Sequence, residues 1–334
     1  MKKYSIILPV RNGGVYVREC INAILAQTLN DFNLIILDNC STDGTTEWIE
    51  SLNDGRIVCH RSSASLSIEE NWGRIKDIPK NEYMTMIGHD DILERDYLAV
   101  MDALIRKHPD ASLYQTHFRY IDPKGSTIRL CKPMDEQQTA TELTAFILSG
   151  ITDIMGTGFL MRSADYDRLG GLPPYPNLLF ADFELWIELT RIGYKATAME
   201  ECFCFRLHQS TTSVSPNIKY HEAFERLIDY LGTLKRNDPL MDNVIRRYAV
   251  QFIESYSKGL AHRLLRTPAP RRSGLTVEKL LTRSAQYAML LAPGNNYDPY
   301  RRFSVKLAGV IDRYWLSRRL FLLFKSLYPH PLYS

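Results

Sequence analysis

Tyr83-Met84-Thr85-Met86-Ile87-Gly88-His89-Asp90-Asp91 is a short apolar run that ends on two adjacent carboxylates. Four to five apolar residues closed by a glycine turn predict a buried strand, and the carboxylates fall just past its end. A pair of Asp at such an edge suits a hard divalent cation, which takes carboxylate oxygens together with ligand phosphates. A solvated strand-to-loop turn fits the same nine residues, so the preceding chain has to decide.

Upstream, Ser5-Ile6-Ile7-Leu8-Pro9-Val10 predicts a strand closed by the turn Arg11-Asn12-Gly13-Gly14. From Val15 to about Thr28, apolar residues at Val17, Ile21, Ile24 and Leu25 recur every three or four positions, the stripe of a helix. Asn33-Leu34-Ile35-Ile36-Leu37 is nearly continuous in apolar residues, as in a parallel strand covered on both faces, and it ends at Asp38. The turn formers Asn39-Cys40-Ser41-Thr42-Asp43-Gly44-Thr45 lead into a helix through Trp48 and Ile49. A third strand is expected at Arg56–His60 and a further helix at Ile68–Ile75. The alternation β-α-β-α-β-α-β predicts a mostly parallel central sheet with helices on both faces and a ligand crevice outside the carboxyl ends of the strands. Pro9, Arg11, Asn12, Asp38, Asp90 and Asp91 would converge there. Neither a G-x-G-x-x-G fingerprint nor a G-x-x-x-x-G-K-[ST] loop follows the first strand, which disfavours a dinucleotide redox enzyme and a P-loop ATPase.

Taken together, Ser5 to Asn12, the block Asp38 to Thr45 and the Gly88-His89-Asp90-Asp91 end resemble family 2 glycosyltransferases, whose nucleotide-sugar domain has the Rossmann-like GT-A fold. The resemblance implies that Pro9, Arg11 and Asn12 line the base, that Asp38 contacts base or ribose, and that Asp90, with Asp91 close by, binds the Mn²⁺ or Mg²⁺ that bridges the diphosphate. Two departures stand out. Gly88 occupies a position where many members carry a further Asp, and Asn39-Cys40 replace a common Asp and Gly.

The resemblance continues downstream. Gly156 to Arg162 reads as a strand that backbone or ligand approaches closely, and Phe180-Ala181-Asp182-Phe183-Glu184-Leu185-Trp186 is similar to the family's E-D-x-x-L-W segment, with Ala181 in place of the Glu. By that likeness Asp182 is the general base, and a carboxylate at a helix N-terminus is suited to the task; a plain helix cap is the competing reading. Glu184 is a weaker candidate. Cys202 to Ser213 looks like the family's Y-R-x-H-x-x-x-x-S stretch, which implies Arg206 on the diphosphate and His208 as a metal ligand or phosphate donor. Cys202 and Cys204 are too closely spaced for a C-x-x-C metal knuckle.

The implied reaction is transfer of a sugar from a nucleoside diphosphate sugar, with a UDP-sugar as the expected donor, to a saccharide or lipid-linked saccharide with inversion, as in surface polysaccharide or lipopolysaccharide assembly. A sugar nucleotidyltransferase should carry a longer Gly-rich basic loop after the first strand; a catalytically silent nucleotide-sugar binder stays open on account of Gly88 and Ala181.

Domain boundaries are expected at 1–215 for the GT-A domain and 216–334 for a helical region, with helices at His221–Leu234, Met241–Leu265 and Thr276–Leu291. The six cysteines lie scattered in apolar runs and no signal peptide precedes Tyr4, so a reducing, cytoplasmic setting is expected. Residues 260–334 hold 13 Lys and Arg against 3 Asp and Glu, although the whole chain is only +3. Within them Arg301–Tyr328 interleaves aromatic, aliphatic and basic residues. Its charges rule out a span of about 20 apolar residues. An amphipathic segment on an anionic membrane surface, at the inner face of the cytoplasmic membrane, fits this pattern, as does packing in a homodimer or on the chain itself. Nothing in the chain resembles a nucleic-acid module.

Overall fold

The computed structural model describes residues 2–208 and 218–327. In chain order the first part runs β1 (Tyr4–Val10), α1 (Gly14–Leu25), β2 (Phe32–Asp38), α2 (Thr45–Ser51), β3 (Ile57–Cys59), α3 (Ile68–Gly73), β4 (Tyr83–Met86), β5 (Ile92–Leu93), α4 (Tyr97–Lys107) and β6 (Leu113–Ile121). It continues with β7 (Thr127–Leu130), β8 (Gln137–Gln138), α5 (Ala140–Ser149), β9 (Phe159–Arg162), α6 (Ser163–Arg168), α7 (Ala181–Ile192) and β10 (Lys195–Arg206). The strands form one 10-stranded sheet in the order β3-β2-β1-β4-β9-β6-β10-β5, with β7 beside β6 and β8 beside β10. β1, β2, β3 and β4 pair in parallel, and so do β6 and β10. The sheet is therefore mostly parallel, the GT-A arrangement expected.

Burial explains the strand sequences. All of β1 is buried, and β2 is buried except at Asn33, because helices cover both faces. Proline in a central strand ordinarily leaves a gap in the ladder. Here Ile7 O accepts from Ile87 N on the β4 side, whereas Val10 O accepts from Asn39 N on the β2 side. Pro9 therefore faces β4 beyond its last paired residue, Met86, and its missing N–H goes unnoticed. β9 runs antiparallel between β4 and β6, an insertion that periodicity does not reveal. It starts at Phe159, later than expected, since Gly158 takes φ +79 and a Cβ there would meet the Phe203 ring at 2.7 Å.

Beyond β10 come α8 (Lys219–Asn237), α9 (Pro239–Arg266), α10 (Val277–Leu291), α11 (Phe303–Arg313) and α12 (Trp315–Leu327). The compact units are Met1–Leu143 with Ile151–Leu207, and Thr144–Gly150 with His208–Ser334. A single cut at 215/216 misses that Thr144–Gly150 joins the helical unit. Asp238 caps α9 by accepting from Leu240 and Met241 N–H, with Pro239 at the first helical position. Phe224 of α8 stacks on Phe252 and Tyr256 of α9. The tail is two helices: Tyr314 is extended at φ −111 and ψ 124, and Ser317 Oγ donates to the Ile311 and Tyr314 carbonyls at the junction. Among the described residues no helix is long and apolar enough to cross a membrane.

Candidate active site

Parallel pairing brings the carboxyl ends of β1, β2, β4, β6 and β10 to one edge of the sheet. The loops after β1 and β2 are stitched together there. Asn12, at φ +52, donates its N–H to Ser41 Oγ at 2.9 Å and accepts from Thr42 N–H on its Oδ1 at 2.8 Å. Gly13 N–H donates to Thr45 Oγ1 at 3.1 Å, and Gly14 N–H to Asp43 Oδ2 at 3.0 Å. Burial raises the Asp43 carboxyl, but the hydrogen bonds from Thr45 and Gly14 outweigh it and hold the group below the usual carboxylate range. The Asn12 amide oxygen is thus spent on shaping this loop pair, while Arg11 beside it is exposed and Pro9 is buried in β1.

Asp38 closes β2 and is fully buried. Both its carboxylate oxygens face the Ser41 N–H, at 3.4 and 3.3 Å, and Arg61 Nε lies 3.7 Å away. Asn39, a departure from the family pattern, has a local reason. Its Oδ1 accepts from Leu66 N–H at 2.7 Å while its Nδ2 donates to Leu66 O at 2.9 Å, a two-way pairing that only an amide makes.

After β4 the adjacent carboxylates point to different surroundings. Asp91 is buried, accepting from Thr157 Oγ1 at 2.9 Å and from Arg206 N–H at 3.0 Å. Burial, then the neighbouring charge of Asp90, pushes its carboxyl well above the ordinary range. Asp90 is half-buried. Gly88 also finds its reason here, since a Cβ would stand 2.7 Å from Asp90 Oδ1 and 3.1 Å from Asp91 Oδ2. A side chain at 88 would require the Asp90 carboxylate to shift.

Arg206, expected on the diphosphate, turns its donors onto the protein. Its side chain is 1% exposed. Nε donates to Asp90 O at 2.8 Å, one terminal nitrogen donates to the Asp122 and Pro123 carbonyls, the other pairs with Glu19 at 2.7 Å, and the guanidinium lies 4.6 Å from the Tyr16 ring centre. With its donors turned onto the protein, Arg206 clamps the Asp90 turn to β10, α1 and the end of β6. No signal in the sequence distinguishes such a clamp from a ligand contact, because both place an arginine at a strand end. Cys204 on the same strand is buried, its thiol pushed up to about 12 chiefly by desolvation, so it is no nucleophile.

Asp182 stands at the second position of α7, half-buried. The residue at the N-cap is Phe180, which makes no side-chain cap hydrogen bond, and Asp182 follows within the first turn. Desolvation pushes the Asp182 carboxyl up to about 6, although the N–H groups of Phe183 and of Asp182 itself pull the other way. The loop before it is held at positive φ at Asn177, Leu178 and Phe180, with Asn177 N–H on Glu69 Oε1 at 2.7 Å. One turn after Asp182, Trp186 Nε1 donates to Met155 O at 2.8 Å and its ring stacks on Phe159 at 4.4 Å. That packing fixes α7 on the same segment whose Thr157 holds Asp91. Ala181 is 1% exposed, so a Glu there would be buried. Glu184 is taken up by the Tyr175 hydroxyl at 2.6 Å.

Among the described residues no three His, Cys, Asp or Glu side chains stand close enough to hold a metal by themselves. The donors present, hard oxygens of Asp90 beside a crowded Asp91, fit an ion that takes its remaining ligands from phosphates and water. His208 opens the long segment of the second unit, and the candidate site is built without it. Gln209 to Ser213, the rest of the stretch likened to the family, lie outside the described residues.

Residues 5–170 match the family model for glycosyl transferase family 2. The chain carries a family 2 glycosyltransferase domain. An uncharacterized glycosyltransferase of Rickettsia felis is 29% identical over 193 residues, 57% of this chain and 31% of that protein, so the chain spans about a third of that relative's length. S. aureus TarS residues 1–349, crystallised with UDP-GlcNAc, superpose with a TM-score of 0.62 at 13% identity, covering 93% of this chain and 91% of that one. The mannosyltransferase PcManGT of Pyrobaculum calidifontis, in complex with GDP-Man and Mn²⁺, gives 0.52 at 14% identity, with 98% and 88% covered. These likenesses establish the GT-A fold of the family 2 domain.

Proposed function

We propose that this protein transfers a glycosyl group from a nucleoside diphosphate sugar to an acceptor hydroxyl with inversion, in glycan assembly. One observation supports the reading: just past β4, at the carboxyl ends of the parallel strands, Asp91 is buried and held by Thr157 and Arg206 while the adjacent Asp90 is half-buried. Asp38 with the stitched loops at Pro9, Arg11 and Asn12 forms the nucleotide seat. Asp90 would hold Mn²⁺ or Mg²⁺, which when bound would supply neutralisation of charge on the leaving diphosphate. Asp182 takes the proton of the acceptor hydroxyl as it attacks the anomeric carbon, the sugar–phosphate bond breaks, and nucleoside diphosphate leaves. Crystallised neighbours hold UDP-GlcNAc and GDP-Man, and we infer a UDP-sugar here. The inferred acceptor is a saccharide or lipid-linked saccharide at the inner membrane face.

The test is nucleoside diphosphate release from a panel of UDP- and GDP-sugars, with Mn²⁺, with Mg²⁺ and with chelator. Release from one donor, abolished by chelator and reduced about 10³-fold in Asp182→Asn, is the expected outcome. Donor binding without release under every condition, with lipid and saccharide acceptors present, would favour a silent binder.

A further inference from the structure

α12 is turned inside out. None of its residues is buried, and it meets α9 through Phe321, edge-on to the His262 ring at 5.5 Å, and through Arg318, which donates to Leu265 O, at 3.1 Å from Nε, and to Thr267 O, carbonyls at the end of α9. Such carbonyls have no partner within their own helix and attract cations. The leucines of α12 lie elsewhere on the helix. Leu316, Leu320, Leu323 and Leu327, spaced by three and four, share one stripe, and each is more than half exposed. α11 repeats the pattern with Phe303, Leu307 and Val310 exposed at 77%, 45% and 55%, while Val305 and Ala308 on its other side are buried. An apolar groove of about 840 Å³ runs between α9, α11 and α12, lined by Leu265, Ile311 and Phe321 with Lys258 and Lys325 at its edge. Contiguous apolar surface of this kind marks an interaction site.

Charge decides the occupant. Residues 301–327 contain seven Lys and Arg and one acid, Asp312. That acid is buried, spent on Arg272 and on the Val277 N–H. Arg302 pairs with Glu254 and Arg313 with Glu278. Arg301, Lys306, Arg319 and Lys325 have no ion pair among the described residues. A second copy of this face would bring like charges together, whereas an anionic lipid surface complements them. Tyr314 and Trp315, exposed at the junction of the helices, suit the headgroup level.

We infer that α11 and α12 lie flat in an anionic bilayer surface, with the leucine stripe and Phe303 in the acyl boundary and the basic residues at the phosphates. This deepens the acceptor reading by naming the surface that meets the membrane, and its test does not depend on turnover. The full chain is sedimented with vesicles of phosphatidylcholine, with and without phosphatidylglycerol, and its oligomeric state is measured in parallel. Binding should require phosphatidylglycerol, weaken with salt, and fall at least roughly tenfold in Leu320→Glu/Leu323→Glu, whose positions are exposed and whose near-UV dichroism should match the parent. Lys306→Glu/Arg319→Glu should weaken it as well, leaving the apolar face intact. Equal binding to phosphatidylcholine alone, binding unchanged in both double variants, or a dimer that dissociates in the leucine variant without any vesicle binding would overturn the inference.

Discussion

At the sheet edge the protein buries charge, and in its last two helices it exposes apolar surface. Asp38, Asp91 and Arg206 are each less than 5% exposed and each satisfied by named partners, whereas the leucine stripe of α12 stands open to solvent. Ordinary folding preferences disfavour both arrangements. The first fits a small charged ligand that needs carboxylates fixed in place, the second an apolar partner. The polar inventory of each region is therefore a description of what it meets.

The comparison breaks most readily at Arg206. If its guanidinium is the clamp that holds the Asp90 turn, Arg206→Ala should cost about 3 kcal/mol of stability, since three part-buried carbonyls and Glu19 lose a charged donor whose own side chain is buried. Urea unfolding monitored at the tryptophans checks this. An arginine used only to bind phosphate would leave stability nearly unchanged and raise the donor KM instead. At the other end, Leu323→Ala should change stability by less than about 0.5 kcal/mol in the same assay, because its side chain is 58% exposed. A loss of about 2 kcal/mol or more there would mean that the stripe is covered in the free protein.

Much of the site was legible because strand ends and turn formers mark themselves. The apolar runs ending at Asp38 and at Asp90-Asp91, with the parallel-sheet rule, put these carboxylates at the ends of β2 and β4, where the structure has them. Direction was not legible. Asp90 and Asp91 are neighbours, and only the positions of Thr157 and Arg206, 66 and 115 residues away from Asp91, decide which one faces inward. The surroundings of Arg206 were not legible for the same reason, since its partners at Glu19, Asp122 and Pro123 come from distant segments. The departure at Asn39 looked like a loss, but it answers a pairing with Leu66 visible only in three dimensions. In the tail, composition gave the amphipathic character; the break at Tyr314 and the outward turn of the leucines depend on how Ser317 and Arg318 satisfy open carbonyls.

The central claim is that a desolvated Asp182 is the base that activates the acceptor. Its folded value of about 6 lies above the usual carboxylate range, so the group takes up a proton as pH falls through about 6 and the active, charged form is lost there. The most direct test is the pH dependence of kcat/KM for the acceptor, measured at saturating donor and metal. The account predicts a plateau above about pH 7 and a tenfold fall per pH unit below about 6, with the low residual rate of Asp182→Asn lacking that limb. A profile flat down to about pH 4, or the same limb in Asp182→Asn, would contradict it.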